Sequence, residues 1–405
     1  MNIVMIGPFG LHTKSTIRER ALPMARALVE RGHQVTILLP PWDCPQDDGQ
    51  TWLIDGVTVE NVRLPPRIPV LWHLSLTFRL VRRALALRPQ AIHCFKPKAY
   101  AGLSAWVLWQ LKKLHLTHVR LIVDTDDWEG RGGWNELAAY SGAQKRMFAW
   151  QERWGLRHAD AITVASRALQ TIVWSMGVPA GAVHYAPNAA TADQIPASPA
   201  RPDPSAPPTV LLYTRFFEFG LERVVDTLHL IHQSRPDARF TVVGKGLFGE
   251  QDRFLDLCRA AGLTDVLDYR GWAPPETLPD LFSQAHVALY PFDDTLVNRT
   301  KCAVKLRDLL AAGVPVVADA VGENAEMIAN RASGLLVRPD SPGAMADAAL
   351  ELLGNPLLRE SLGQCAQQYV REHLVWERLI ERVENAYPEQ KSNDLGDRPY
   401  RQSTG

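Results

Sequence analysis

The sequence predicts an α/β protein built from two similar parallel α/β domains, and three observations carry that expectation. Buried strands alternate with amphipathic helices along the chain. A proline-rich stretch interrupts the alternation near the middle. The length, 405 residues, suffices for two domains, each with its own core.

The first unit is the clearest. Residues 2–6 (NIVMI) read as a buried strand and Gly7-Pro-Phe-Gly10 as a loop. Residues 15–31 follow with helical spacing, Ile17, Ala21, Met24, Ala25 and Leu28 sharing one face, and end at Gly32-His33 before the strand 35–39. That is a βαβ unit, hence a parallel sheet covered by helices. Further strands are expected at 57–62, 91–94, 121–124 and 161–165, with helices at 71–87, 99–113 and 143–158. Between Pro187 and Val210 lie seven prolines and almost no large apolar residue, the mark of a semi-rigid linker. Strands then recur at 210–213, 239–243, 266–269, 287–290 and 314–318, and helices at 220–234, 250–262, 275–285, 301–312 and 322–330. Residues 341–352 and 355–387 add helices, and the polar tail from Pro388 is expected to be disordered. The expected domains are residues 1–190 and 210–369, with the linker at 191–209 and a crossover helix at 370–387.

Composition excludes several classes. The 44 Lys+Arg balance the 44 Asp+Glu, which argues against a general nucleic-acid binder. The neutral total hides a split. Residues 1–190 hold 22 basic and 14 acidic residues, residues 191–405 hold 22 and 30, so the halves carry +8 and −8. Five cysteines without a CxxC fit a reducing cytosol rather than a disulfide scaffold or a zinc ribbon. No signal peptide and no apolar run of membrane-spanning length is read, so a cytoplasmic protein is expected.

Parallel sheets place chemistry at the carboxyl ends of their strands. There the Gly10 loop could meet an anion or a hydroxyl with its amides. Asp124-Thr-Asp126-Asp127-Trp128-Glu129 sets four acids in six residues, for a general base or for a divalent cation. In the second half, Arg215 follows a strand and could grip a phosphate, and Val243-Gly244-Lys-Gly246 gives a close-approach turn. Arg299, Lys301 and Lys305 lie near a helix N-terminus, where ordinary helix design prefers acids, so a bound diphosphate would explain them. Asp308, on the face of Lys305, could accept from a ribose diol.

With these residues in view, the chain resembles the retaining GT4 glycosyltransferases (glycosyl transferases group 1) of GT-B fold, over about residues 1–385. The resemblance rests on the Gly10 loop with Leu28–Val35, Pro187-Asn188-Ala189, Thr214-Arg215, Val243–Gly246 and Tyr269–Trp272. Its most specific part is Lys305-Leu306-Arg-Asp308-Leu-Leu-Ala-Ala-Gly313-Val-Pro315-Val-Val, followed by Val321–Glu326. It implies two Rossmann-like domains facing each other across a cleft and transfer of a sugar from a nucleotide-diphosphate donor, UDP- or GDP-linked, with no further cofactor and no metal. By resemblance Arg215 would contact the diphosphate, the backbone at Arg270–Trp272 the base and Asp308 the ribose hydroxyls; Gly244, Arg299, Thr300, Lys301, Lys305 and Leu306 complete the expected donor side, with Lys305 and Arg299 or Lys301 neutralising the phosphates. Asp126 and Asp127 would be catalytic, and Gly10, His93 and Trp128 would line the acceptor side. The acceptor would be a glycan, a lipid-linked or a small molecule.

Three positions depart from the family pattern. The first carboxylate of its Glu-x7-Glu pair is Thr300, with Asp308 as the second; the lysine five residues after Arg215 is Gly220; and Asp126 replaces a histidine. These departures leave an epimerase of the same architecture, or a degenerate binding module, as alternative readings. Residues 67–88 combine Trp72, Leu76, Phe78 and Leu80 with Arg67, Arg79, Arg82, Arg83 and Arg88, which suits peripheral contact with an anionic leaflet or a core helix with one solvated face.

Overall fold

A computed structural model describes residues 1–12, 16–66, 68 and 71–387. It holds two sheets. The first comprises β1 (Asn2–Ile6), β2 (Gln34–Leu39), β3 (Thr51–Ile54), β4 (Val57–Asn61), β5 (Ala91–Phe95), β6 (Arg120–Thr125), β7 (Ala161–Val164) and β8 (Val183–Tyr185). Their spatial order is β3-β4-β2-β1-β5-β6-β7-β8. The second comprises β9 (Thr209–Tyr213), β10 (Arg239–Val243), β11 (Leu267–Gly271), β12 (Val287–Tyr290), β13 (Val316–Asp319) and β14 (Leu335–Val337), in the order β11-β10-β9-β12-β13-β14. Every pairing is parallel except the β3–β4 hairpin.

The strand sequences dictate that layering. Along β1, Ile3 and Met5 enter one core while Val4 and Ile6 enter another on the opposite face, and all four are fully buried. A strand buried on both faces must be apolar throughout, which is why 3–6 reads IVMI. Strand order reverses beside β1 and β5 in the first sheet and beside β9 and β12 in the second. Those are the switch points where crossover helices diverge to opposite faces and leave a crevice.

One core runs through both halves. It joins Ile3, Ile17 and Leu28 of the first to Leu306, Leu310 and Val316 of the second, by way of Ala189, Ile195, Trp376 and Leu379. The proline-rich segment is pinned rather than loose: a capping box forms at Thr191 and Gln194, and Ala200 N–H donates to the Ala312 carbonyl at 2.7 Å.

Several element expectations are corrected. The helix at 15–31 is a π-helical turn, Ile17–Ala21, leading into an α-helix, Leu22–Glu30; Pro23 has no N–H to give the normal i→i−4 bond. The helix at 301–312 starts at Val304, and a separate short helix, Leu296–Thr300, occupies the preceding polar segment. The 355–387 stretch is two helices, Pro356–His373 and Trp376–Glu384. They part because Val375 turns extended and bridges Ala190: Ala190 N–H donates to Leu374 O and Trp376 N–H to Ala190 O, both at 2.9 Å. The second of these helices packs on Leu22–Glu30. Strands β3, β8 and β14 and the helix Arg167–Ser175 were not expected. The tail from residue 388 and Arg67 lie outside the described residues.

Candidate active site

The carboxyl ends of β9 and β12 bring the second half's cations together. Arg215 lies two residues past β9, and Phe216 beside it has φ of 65°, a conformation that costs a non-glycine residue energy and is kept where packing enforces it. The Arg215 guanidinium sits 5.4 Å from the Phe217 ring centroid and 5.8 Å from that of Trp134, and has no carboxylate partner among the described residues. Lys301 Nζ lies 2.5 Å from Glu218 Oε1 and 4.6 Å from the Phe217 ring. Lys305 Nζ stands 3.3 Å over the Tyr213 ring. Burial pushes its ammonium down to about 7, Glu218 and Asp308 pull it up, and Arg215 and Lys301 push it down further.

One turn on, Asp308 Oδ1 accepts from Arg307 Nε at 3.0 Å and Nη2 at 2.5 Å, leaving Oδ2 with no protein donor among the described residues. Arg307 itself is buried and donates Nη1 to the Ala189 carbonyl at 2.6 Å, so the Asp308 carboxylate is set from the opposite half of the molecule.

Across the crevice, the acids after β6 surround a lysine that sequence reasoning passed over. Lys96, one residue past β5 with φ of 56°, is buried. Its Nζ lies 2.9 Å from Asp126 Oδ1, 3.0 Å from Asp127 Oδ2 and 3.5 Å from Glu129 Oε1, and Lys98 Nζ adds a 2.6 Å pair with Glu129. Burial works against the Lys96 charge, but the acids outweigh it and hold the pKa well above the usual range. Burial pushes Asp126 up to about 6 against the pull of Lys96; Asp127 ends below its usual range because Lys96 outweighs burial there. Asp124 is spent elsewhere, accepting both Arg20 Nε (2.8 Å) and Nη2 (2.7 Å) in the core. The acids are thus matched by lysine and arginine, and among the described residues no group of three or more His, Cys, Asp or Glu is set to hold a metal. The two clusters meet: Lys301 acts electrostatically on Asp127, and the Trp134 and Phe217 rings touch edge-on at 5.0 Å.

Other predicted site residues fall elsewhere. Thr300 is fully buried and its hydroxyl donates to the Leu296 and Val297 carbonyls, so it is held by its own helix. Arg299 is exposed and paired with Asp294. Leu306 is core. His93 is fully buried, with Nδ1 2.9 Å from the Tyr387 hydroxyl and Nε2 3.0 Å from Thr163 Oγ1. Burial pushes its imidazole down to about 4, and its partners tie Tyr387, just past the helix Trp376–Glu384, to the first sheet. Trp128 is buried, donating Nε1–H to the Arg131 carbonyl beneath the glycines that follow. Gly10 lies against Cys44, and its N–H donates to Asp43 Oδ1. Gly244 N–H donates to the Gly271 carbonyl at 2.7 Å, which joins its turn to that of the exposed Trp272.

The missed residues had partial signals. Phe95-Lys-Pro-Lys98 follows a strand directly, and Glu218 lies three residues from Arg215. Arg20 and Arg307, both buried, sit at helix positions that resemble a solvated face until the other half of the chain is placed.

Residues 15–189 match the glycosyl transferase 4-like domain and residues 207–355 the glycosyl transferases group 1 domain. Over 95% of its length the chain is 23% identical to an uncharacterized glycosyltransferase of Methanocaldococcus jannaschii, covering 94% of it. The fold is similar to that of sucrose-phosphate synthase from Thermosynechococcus elongatus (TM-score 0.69, 20% identity, 95% of this chain and 97% of that one). It is also similar to that of Anabaena HepE in complex with UDP (TM-score 0.68, 16% identity, 95% and 98%), a protein also solved with UDP-glucose. Two parallel-sheet halves of GT-B architecture and a match to both domain families make this chain a GT4-like glycosyltransferase of group 1.

Proposed function

We propose that this glycosyltransferase moves a sugar from a UDP- or GDP-linked donor to an acceptor hydroxyl, with retention of configuration and without a metal. The observation that supports it is the set of three cations gathered at the β9 end, Arg215 just past the strand, Lys301 paired with Glu218 and Lys305 over Tyr213, facing the Lys96–Asp126–Asp127 cluster. As the bond from the sugar to the diphosphate breaks, negative charge develops on the departing phosphate. Preset cations in a closed crevice stabilise that charge without reorganisation. Lys301 stands in for the lysine absent at Gly220, with Glu218 holding it until a diphosphate competes for it. Asp308, oriented by Arg307, accepts from the ribose hydroxyls through Oδ2. Asp126 and Asp127, held by Lys96, orient the acceptor or the sugar hydroxyl. The acceptor class follows from neither cluster.

The test measures nucleotide release from UDP-, GDP- and ADP-sugars by wild type, Arg215→Ala and Asp308→Ala. Loss of an electrostatic contact to the developing charge lowers kcat/KM by roughly 100-fold, and equal turnover by all three proteins overturns the site. The anomeric configuration of the product, read by NMR, tests retention, and turnover in a chelator tests the metal. Conversion of the donor sugar with no acceptor product would mean an epimerase.

A further inference from the structure

Beyond the crevice, three helices lie side by side on the outer face of the first sheet: Leu71–Ala86, Ala99–Lys113 and Gly142–His158. Their inner faces share one core, with Leu76, Leu80, Ala105, Leu108 and Leu156 buried. The outer faces are unusual for a solvated surface. In the first helix, Leu71, Leu74, Phe78 and Arg82 recur at i, i+3, i+7 and i+11, and the apolar members are exposed, Leu74 by 60% and Phe78 by 63%. The third presents Arg146, Met147, Trp150, Arg153 and Arg157 on its open stripe. Trp106 is exposed on the helix between them, and Trp109 meets Trp154 edge-on at 5.4 Å across the seam.

Charge on this face has one sign. The three helices carry nine Lys and Arg and a single acid, Glu152, which is buried. Arg83 and Lys112 are matched by Glu60 and Asp160, but Arg82, Lys113, Arg146, Arg153 and Arg157 form no ion pair among the described residues. By contrast, the helix Glu250–Ala260 of the other half mixes Glu250, Asp252 and Asp256 with Arg253 and Arg259, as a solvated face does. A second copy of the same basic face would be repelled by it. Apolar and tryptophan side chains ringed by arginine suit the boundary of an anionic bilayer, where the rings enter the headgroup layer and the cations meet lipid phosphate.

We propose that this three-helix face docks the protein on an anionic membrane surface. It extends the single amphipathic segment visible in the sequence to a surface that only the fold assembles. Helices that follow parallel strands begin at the carboxyl end of the sheet, so Leu71, Leu74 and Met147 lie toward the crevice side. Docking therefore brings the acceptor side of the crevice to a membrane-borne acceptor, a point that rests on the transferase reading above.

Flotation of the full chain with phosphatidylcholine vesicles, with and without phosphatidylglycerol, tests docking without any turnover, so its failure leaves the transferase reading intact. Wild type is expected to float with the anionic vesicles at low salt and to stay down with neutral vesicles or at high salt. Each basic residue near such a leaflet is worth roughly fivefold in partitioning, so Arg146→Glu, Arg153→Glu and Arg157→Glu together lose on the order of 100-fold or more. Leu74→Ser with Phe78→Ser weakens binding while the melting temperature stays at the wild-type value. No flotation of the wild type, or equal flotation of all variants, overturns the proposal. So does a wild-type dimer that the same substitutions dissolve, because the face then covers a second copy instead.

Discussion

Lys305 sits over an aromatic ring with two further cations near it, and burial holds its ammonium at about 7. A diphosphate bound there favours the charged form, so above pH 7 donor binding takes up a proton. The sign follows: nucleotide affinity is greatest below pH 7 and falls by up to about tenfold per pH unit above it. Calorimetry from about pH 6 to about pH 9, with Lys305→Arg expected to flatten the slope, checks this; a flat wild-type profile overturns it. Residue-level chemistry was only partly legible in the sequence. Lys301 and Lys305 could be chosen because cations near a helix N-terminus defy local design, Arg215 because it follows a strand and Asp308 because it shares the face of Lys305, signals that need no distant neighbours. Lys96 could not be weighed that way, because its value comes from Asp126, Asp127 and Glu129, about thirty residues on in sequence and within 3.5 Å in space. Thr300 shows the converse: a motif position whose hydroxyl the helix itself consumes.

At the scale of elements, the end of β10 is the most constrained turn near the site. Gly244 has φ of 135°, and a β-carbon there would overlap the Thr214 carbonyl oxygen, backbone that cannot swing aside. Gly244→Ala is therefore expected to cost roughly 2–4 kcal/mol. It should also weaken nucleotide binding by displacing Thr214–Arg215. Thermal melts with calorimetry check both effects, and wild-type values for both would refute the turn's role. Long buried strands and their helices were readable because burial on both faces demands unbroken apolar runs. The three-residue strands β8 and β14 were not, since so short a run has no period. The break at Leu374-Val375 was equally hidden: nothing local stops that helix, and it stops because Val375 pairs with Ala190.

At the scale of the molecule, the two halves are latched by Glu323. Its Oε1 accepts the Arg167 N–H and its Oε2 the Tyr185 hydroxyl, both at 2.6 Å, and the carboxyl is nearly inaccessible. Burial pushes its pKa up to about 7, against the pull of those two donors. The folded state then holds a proton that the unfolded chain gives up at about 4.5. Stability from this group is complete below pH 4.5 and is lost as pH rises toward 7, on the order of 1–3 kcal/mol in all. Glu323→Gln, which keeps the size and removes the charge, should raise the melting temperature above pH 7 and change it little near pH 5. An unchanged difference across that range would sink the assignment. The tilt of charge, +8 against −8 in the two halves, places the basic excess largely on the three outer helices.

What the sequence determined alone was the alternation of elements, two parallel sheets and the family, and it pointed to the cationic half of the candidate site. Each is written in local spacing or contiguous motifs, where one residue and its near neighbours suffice. What only the tertiary structure decided was which charges face one another. Arg20 finds Asp124, Lys96 finds three acids, Arg307 reaches Ala189 to set Asp308, and Glu323 closes on Tyr185. The reason is physical: a buried charge is tolerable only beside a partner, and chain closure supplies those partners from far away in sequence.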